Sequence, residues 1–364
     1  MKKFFMLVIV ALLMASLTAC GRNNETISHT EATDNQNNSE VTVPNTSDNL
    51  VNNNEAHTAM INLAEKEIVD SGTCGNNVQW ALTKDNILYV YGSGAMYDCS
   101  SVPEWYEYLK GGRYELVIEN GVSTVGEKAF WGCQLFEISL PDTVTSIGLG
   151  SFAKNYLLTT VEIPNGCESI GDNAFEECTN LETVIFNEGL KIIGKRAFEK
   201  CKKITSLKFP NSLISIGEDS FRNSMVESLV FNDGLITIER NAFSYCENLK
   251  SIILPDSVLS VGKEAFVNCT SVTTLKLSNK MLIIEDNSFR GLSITQLEVP
   301  DSVTSIGESA FSDCYNLEEA VLGSNVETIG DYAFCECKSL SKINLRDGIK
   351  IGKDAFWHCS NLSN

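Results

Sequence analysis

Ile170-Gly-Asp-Asn-Ala-Phe175-Glu-Glu-Cys178-Thr-Asn-Leu181-Glu-Thr-Val-Ile-Phe186-Asn-Glu-Gly-Leu190-Lys-Ile-Ile193-Gly-Lys-Arg-Ala-Phe198-Glu-Lys-Cys201 states one phrase and then begins it again. The phrase is Ile-Gly, two variable residues, Ala-Phe, two more, then Cys, an apolar residue and a short alternating stretch. Its phenylalanine recurs eleven times at intervals of 22 or 23 residues: Phe130, Phe152, Phe175, Phe198, Phe221, Phe243, Phe266, Phe289, Phe311, Phe334 and Phe356. A unit this short cannot enclose a core and must stack on its neighbours, so the period predicts a solenoid. A solenoid offers a long surface rather than an enclosed active site, which makes binding the first functional expectation.

Leu181 to Cys201 serves as the type unit. Leu181, Val184 and Phe186 alternate with polar residues and predict a short strand. Asn187-Glu188-Gly189 predicts a turn, Leu190 and Ile193 point inward, and Gly194 permits a tight bend. Lys195 to Glu199 is expected to make a single helical turn that inserts Phe198 into the core. Stacked units then place their strands about 4.8 Å apart in one parallel sheet.

Three residues beyond the phenylalanine stand Cys133, Cys178, Cys201, Cys246, Cys269, Cys314, Cys337 and Cys359, with Asn155, Ser224 and Leu292 at the remaining positions. In-register side chains at this spacing run parallel, which is poor geometry for a disulfide. Replacement by Asn, Ser and Leu suits a small buried slot better than a metal ligand. Free, buried thiols are expected, with no metal or cofactor.

The phrase from Ile170 to Phe186 resembles the BspA-type (treponemal-type) leucine-rich repeat, and the resemblance runs from Glu115 to the C-terminus. Departures are Glu239 and Glu285 at the glycine position and one-residue deletions near Ser224, Leu292 and Ile349. The resemblance implies an α/β-type repeat solenoid: a curved leucine-rich-repeat stack with one parallel β-sheet and short helical turns. It implies a bacterial surface protein that binds other proteins or cells, and it carries over no catalytic residue. Gly72-Thr73-Cys74-Gly75, Gly92 to Met96 and Trp105 resemble the small β module that often precedes such repeats.

At the N-terminus, Lys2 and Lys3 precede an apolar run from Phe4 to Leu13 and then Leu17-Thr18-Ala19-Cys20. This pattern reads as a secretory signal, too short for a stable membrane span. Leu17 to Cys20 also resembles the lipobox of bacterial lipoproteins, which implies that Cys20 carries the lipid and anchors the chain to a membrane. The expected organisation is residues 1–20 signal peptide, 21–70 an Asn/Ser/Thr-rich tether, 71–113 a β cap and 114–364 eleven repeats. Within this scheme Met60 to Val69 is expected to form a short helix.

The cap reads as a hairpin, with Val78, Trp80 and Leu82 facing Leu88 and Val90 across a turn at Lys84-Asp85-Asn86. Trp80, Trp105 and Tyr106 have two readings: cap core, or a sugar-stacking platform. Cys74 and Cys99 likewise stay open between a disulfide and two thiols. At the other end Asn364 falls where the next strand is due, so a longer chain or a partner would continue that face.

Function is bounded by charge. The net charge of -19, from 28 basic and 47 acidic residues, argues against nucleic acid, which requires a basic stripe. The three histidines, His29, His57 and His358, cannot share a rigid pocket, which removes most histidine-dependent catalysis and zinc chemistry. No enzyme is expected. On the strands, the outward middle position carries Ile185, Lys208, Val230, Ile253 and Lys276, apolar residues bordered by charge, and this column is the candidate ligand-binding face. The expected function is adhesion or contact with an extracellular protein ligand at the cell surface. The alternative is a carbohydrate- or cell-wall-binding lipoprotein, with a glycan as its ligand.

Overall fold

The computed structural model describes residues 63–100 and 103–362. Cys20, the signal peptide and most of the expected tether lie outside the described residues. No described helix is long and apolar enough to cross a membrane.

From Tyr114 onward the chain is the expected parallel solenoid, built on an aromatic spine. The eleven phenylalanine rings stack in chain order, with centroids 5.1 Å apart at Phe175–Phe198 and 5.8 Å apart at Phe266–Phe289. The ring planes of Phe198 and Phe221 differ by only 3°. Offset stacking suits the ring quadrupole, and a spacing near 5 Å matches the strand separation of a sheet. One repeat distance therefore satisfies side chains and backbone together.

Three sets of hydrogen bonds join the repeats. The first is the expected strand ladder: Thr183–Phe186 pairs in parallel with Thr160–Ile163, each residue facing the one 23 positions earlier. The second was not expected from the sequence. Dipeptides such as Ile192–Ile193 pair in parallel with Ser169–Ile170 on one side and Ser215–Ile216 on the other. This second ladder gives the glycine after the isoleucine its reason. A Cβ on Gly194 would stand 2.7 Å from the Gly171 carbonyl carbon, so the glycine permits close approach of neighbouring backbones rather than a bend.

The third set replaces the expected helical turn. Lys195 to Glu199 forms linked turns, not a helix, with Arg196 and Lys200 both in the left-handed region at φ 54° and 60°. Such a conformation costs roughly 1–2 kcal/mol for a residue with a Cβ. Bonds to the next repeat offset that cost: Arg196 N donates to Glu218 O at 2.8 Å, Phe198 N to Ser220 O at 2.8 Å and Lys200 N to Arg222 O at 3.0 Å. Helical i to i−4 bonding would spend these donors inside one repeat and leave the stack unjoined.

The N-terminal module continues both ladders. Strands β1 (Ile68–Thr73), β2 (Val78–Thr83) and β3 (Ile87–Gly92) form an antiparallel meander, and β3 then pairs in parallel with Tyr114–Ile118. Gly94–Ala95 joins the second ladder through Val122–Val125. The turn at Lys84-Asp85-Asn86 closes the predicted hairpin, with Asn86 at φ 66°. Ile68 and Val69 belong to β1, and only Leu63–Glu65 forms a 3₁₀ turn, so the helix expected over Met60 to Val69 is not formed there. β-branched Ile68 and Val69 gain more from pairing with β2 than from one isolated turn.

Trp105 supplies the first ring of the spine. It stacks on Phe130 at 5.5 Å, donates its indole N–H to Ala129 O at 2.9 Å and receives the edge of Trp80 at 5.6 Å. Both indoles are buried, at 2% and 3% exposure, so Trp80 and Trp105 form cap core and no sugar platform.

The expected single sheet is interrupted on the strand face, where pairing lapses after Leu135–Ser139, Thr183–Phe186, Ser228–Val230 and Thr274–Lys276, whereas the second ladder breaks only once among the described residues. The second ladder runs unbroken from Gly94–Ala95 to Ser260–Val261, stops, and resumes at Ile283–Ile284. Glu285 follows, at the glycine position. Glu239 occupies the same position earlier without a break, because its own carboxylate accepts from Glu218 N at 3.2 Å while its N–H reaches Ile216 O at 2.9 Å. Glu285 makes no such side-chain bond, and neither its N–H nor that of Leu282 reaches the preceding repeat as the equivalent Gly262 and Leu259 N–H groups do. By hydrogen exchange, amides of Leu282 and Glu285 are expected to exchange about tenfold faster than those of Lys191 and Gly194, which donate to Glu168 O and Ile170 O. Glu285→Gly should remove the difference, and equal rates in the parent protein would show the ladder to be intact.

Candidate binding surface

Strand alternation turns every second residue outward. Ile185, Lys208, Val230, Ile253 and Lys276 all stand exposed in one column, with Ile185 at 42%, Val230 at 53% and Ile253 at 46%. Direct register places Lys208 beside Val230 and Ile253 beside Lys276. The neighbouring outward column is hydroxylic, through Thr183, Ser206, Ser228, Ser251 and Thr274.

The core beneath this column is stiff. Phe186, Phe209 and Phe231 form a second aromatic stack, with centroids 5.5 and 5.8 Å apart. Each also meets a spine ring edge-on, Phe186 on Phe198 at 5.8 Å being one case. Strands carried on such packing hold their outward side chains in fixed positions, which lowers the ordering cost of binding.

Charge separates this face from the rest of the surface. On the turns, cations and carboxylates of adjacent repeats neutralise each other: Lys195–Glu218 at 2.9 Å, Lys200–Glu177 at 3.0 Å, Lys263–Asp286 at 2.7 Å and Arg290–Asp313 at 2.7 Å. Asp219, buried at 2% exposure, lies between Arg196 and Arg222 at 3.5 and 3.4 Å. Burial raises the pKa of its neighbour Glu199, whose own contact to Arg196 is 3.5 Å. By contrast Lys208 and Lys276 form no ion pair among the described residues, so their charges remain available to a ligand.

Lys276 also borders a groove. Where Thr274–Lys276 and Gln296–Glu298 part without pairing, an open depression of about 690 Å³ forms, lined by Lys276, Asn279, Gln296, Glu298 and Val321. It lies one junction beyond the break in the second ladder, where Ile283–Ile284 and Ser305–Ile306 stay paired, so the strands part here while the second ladder holds. The groove was not foreseen, although Glu285 and the deletion near Leu292 marked its place.

The turn face carries exposed aromatics that a search of strand positions could not find. Trp131 stacks on Tyr106 at 6.4 Å with Lys154 Nζ 5.3 Å from its ring, and Tyr315 lies 5.1 Å from Lys338 Nζ. Their signal in the sequence is an aromatic one, two or four residues after the spine phenylalanine, as in Trp131, Tyr245 and Tyr315.

Comparison with known proteins agrees with this geometry. The profile of the BspA type leucine rich repeat region matches residues 112–227 and 236–363, in six copies. Among solved structures, a leucine-rich repeat protein from Bacteroides ovatus is 27% identical, covers 79% of this chain and 92% of its own, and superposes with a TM-score of 0.53. A leucine rich cell surface protein from Faecalibacterium prausnitzii is 23% identical over 77% of this chain and 97% of its own, with a TM-score of 0.42. The pneumococcal vaccine antigen PcpA is 17% identical over 78% of this chain and 90% of its own, with a TM-score of 0.44. No curated protein matches the sequence.

The cysteine column supports the stack from within. Seven of the eight column thiols donate to the spine phenylalanine carbonyl of the preceding repeat, as Cys178 Sγ does to Phe152 O at 3.2 Å, Cys201 Sγ to Phe175 O at 3.2 Å and Cys337 Sγ to Phe311 O at 3.3 Å, while Cys133 Sγ reaches Trp131 O at 3.8 Å. Asn155 substitutes by donating Nδ2 to Phe130 O at 2.8 Å, which explains why a polar residue fits this slot. Every cysteine among the described residues is a free thiol, Cys74 and Cys99 included. Burial pushes Cys178, Cys246 and Cys314 up to about 12. At pH 8 such a thiol is deprotonated to roughly one part in ten thousand. In the native protein iodoacetamide is therefore expected to label the half-buried Cys99, with column cysteines labelled only after denaturation; peptide mass spectrometry reads both. Rapid native labelling of Cys178 would contradict this packing.

Proposed function

This chain belongs to the BspA-type leucine-rich repeat family, and on that premise we propose that it is a bacterial surface protein whose strand face holds an extracellular protein ligand. The family suggests a surface protein-binding role. Adhesion to a host matrix protein or to another cell is our reading of how this chain uses it. One observation carries the reading: an exposed apolar column, Ile185, Val230 and Ile253, interleaved with two lysines that form no ion pair among the described residues. Apolar area supplies the desolvation energy, while Lys208 and Lys276 select for acidic groups and steer the encounter.

The anchor belongs to the same proposal. Lipid on Cys20 would hold the protein at a membrane, with the stretch after it as spacer. The carbohydrate alternative loses its first candidates, since Trp80 and Trp105 are core. No catalytic arrangement is invoked, because leucine-rich repeat solenoids are typically non-catalytic.

The test is a screen of the protein against immobilised matrix proteins and purified polysaccharides at low and high salt. Binding to a protein, weakened by salt, is the expected result. Joint substitution Lys208→Glu and Lys276→Glu should then weaken it about tenfold or more, mainly through slower association. Unchanged affinity in that variant would remove the strand column from the site, whereas binding confined to glycans would overturn the proposal. For the anchor, Cys20→Ala should move the protein from the membrane fraction to the medium and abolish metabolic labelling with palmitate.

A further inference from the structure

The repeat around Phe221 is one residue short. Ser224-Met225-Val226 stands where its neighbours read Cys201-Lys202-Lys203-Ile204 and Cys246-Glu247-Asn248-Leu249. Val226, Ile204 and Leu249 are all fully buried, so the three inner anchors stay in line and the missing residue is lost from the outside. It leaves a notch of about 450 Å³ on the turn face, within the range of roughly 300–1,000 Å³ usual for small-ligand sites.

The notch is built like a ligand site. Met225 and the Tyr245 ring line it and remain exposed, at 51% and 40%. Arg222 does not line the notch, although its guanidinium lies 5.8 Å from the Tyr245 centroid. Asn223 and Asn248 add amides. The Ser224 hydroxyl is buried and has no hydrogen-bond partner. In other repeats this position reaches a phenylalanine carbonyl, as Cys246 Sγ does to Phe221 O at 3.4 Å. The rim is electrically balanced: Lys200 is neutralised by Glu177 at 3.0 Å, and Lys202 stands with Glu247.

We propose that this notch binds a neutral pyranose unit of a glycan, at a site separate from the strand face. The C–H face of a pyranose packs against the electron-rich face of an aromatic ring. Its hydroxyls need donors and acceptors together, which asparagine amides and a Lys–Glu rim provide. A charged sugar would meet one like and one opposite charge and gain nothing from the pair. Protein contact through the strands and glycan contact through the turns can then occur at once.

Saturation-transfer NMR and calorimetry on the full chain with cellotriose, maltotriose and N,N′,N″-triacetylchitotriose test the idea, with trigalacturonate as the acidic comparison. At least one neutral trisaccharide is expected to bind. Tyr245→Ala and Met225→Glu should each weaken it about tenfold, equal to about 1.4 kcal/mol, and Tyr315→Ala should leave it unchanged. Both altered side chains are exposed, so folding, checked by circular dichroism, should be unaffected. Failure of all three neutral sugars to bind, binding of trigalacturonate alone, or affinity indifferent to both notch substitutions would overturn the proposal.

Discussion

The stacking of one phenylalanine per repeat sets the distance on which the rest of this structure depends. Rings spaced 5.1 to 5.8 Å apart bring the backbones of adjacent repeats within hydrogen-bonding reach along three separate lines. Each line then adds its own demand. The second ladder admits glycine and little else after the isoleucine, since a Cβ at Gly217 would lie 2.7 Å from the Gly194 carbonyl carbon. The turns require left-handed residues on both sides of the ring, and the slot beyond it in most repeats holds a small donor for the carbonyl of the preceding repeat. A repeat of 22 or 23 residues is the shortest statement of those demands taken together.

Uniform stacking also divides the surface by function. Residues 23 positions apart on the turns meet at a fixed distance, so opposite charges there find each other, as Lys200 and Glu177 do. On the strands the same register aligns Ile253 with Lys276 and Lys208 with Val230, which cannot neutralise one another. An acidic protein thus retains two lysines amid exposed aliphatic groups on its strand face. Lys208 and Lys276 on the strand face form no ion pair among the described residues, whereas Lys200–Glu177 and Lys263–Asp286 join adjacent repeats on the turns.

Interest concentrates where the repeat fails. The second ladder breaks before Ile283–Ile284, and a groove opens beside Lys276 at the next junction. The residue missing after Ser224 leaves a notch beside Tyr245. In a solenoid each repeat touches only its neighbours, so such defects remain local and cost little elsewhere. Departures from the phrase are therefore places where a binding site can be built without unmaking the scaffold.

The sequence by itself determined the period, the inward set of Phe, Leu and Ile, the free thiols and the outward column at Ile185, Lys208, Val230, Ile253 and Lys276. These follow from alternation and repetition, which are local properties of the chain. Only the tertiary structure decided that Lys195 to Glu199 forms linked turns instead of a helical one, because its donors are taken by carbonyls 22 residues away. It decided that Trp80 and Trp105 complete the spine and that Ile68 begins a strand, since both depend on what the cap packs against. It also decided that Lys208 and Lys276 form no ion pair among the described residues and that two irregular repeats open into a groove and a notch. Those properties belong to distances between repeats, and a phrase read one repeat at a time does not contain them.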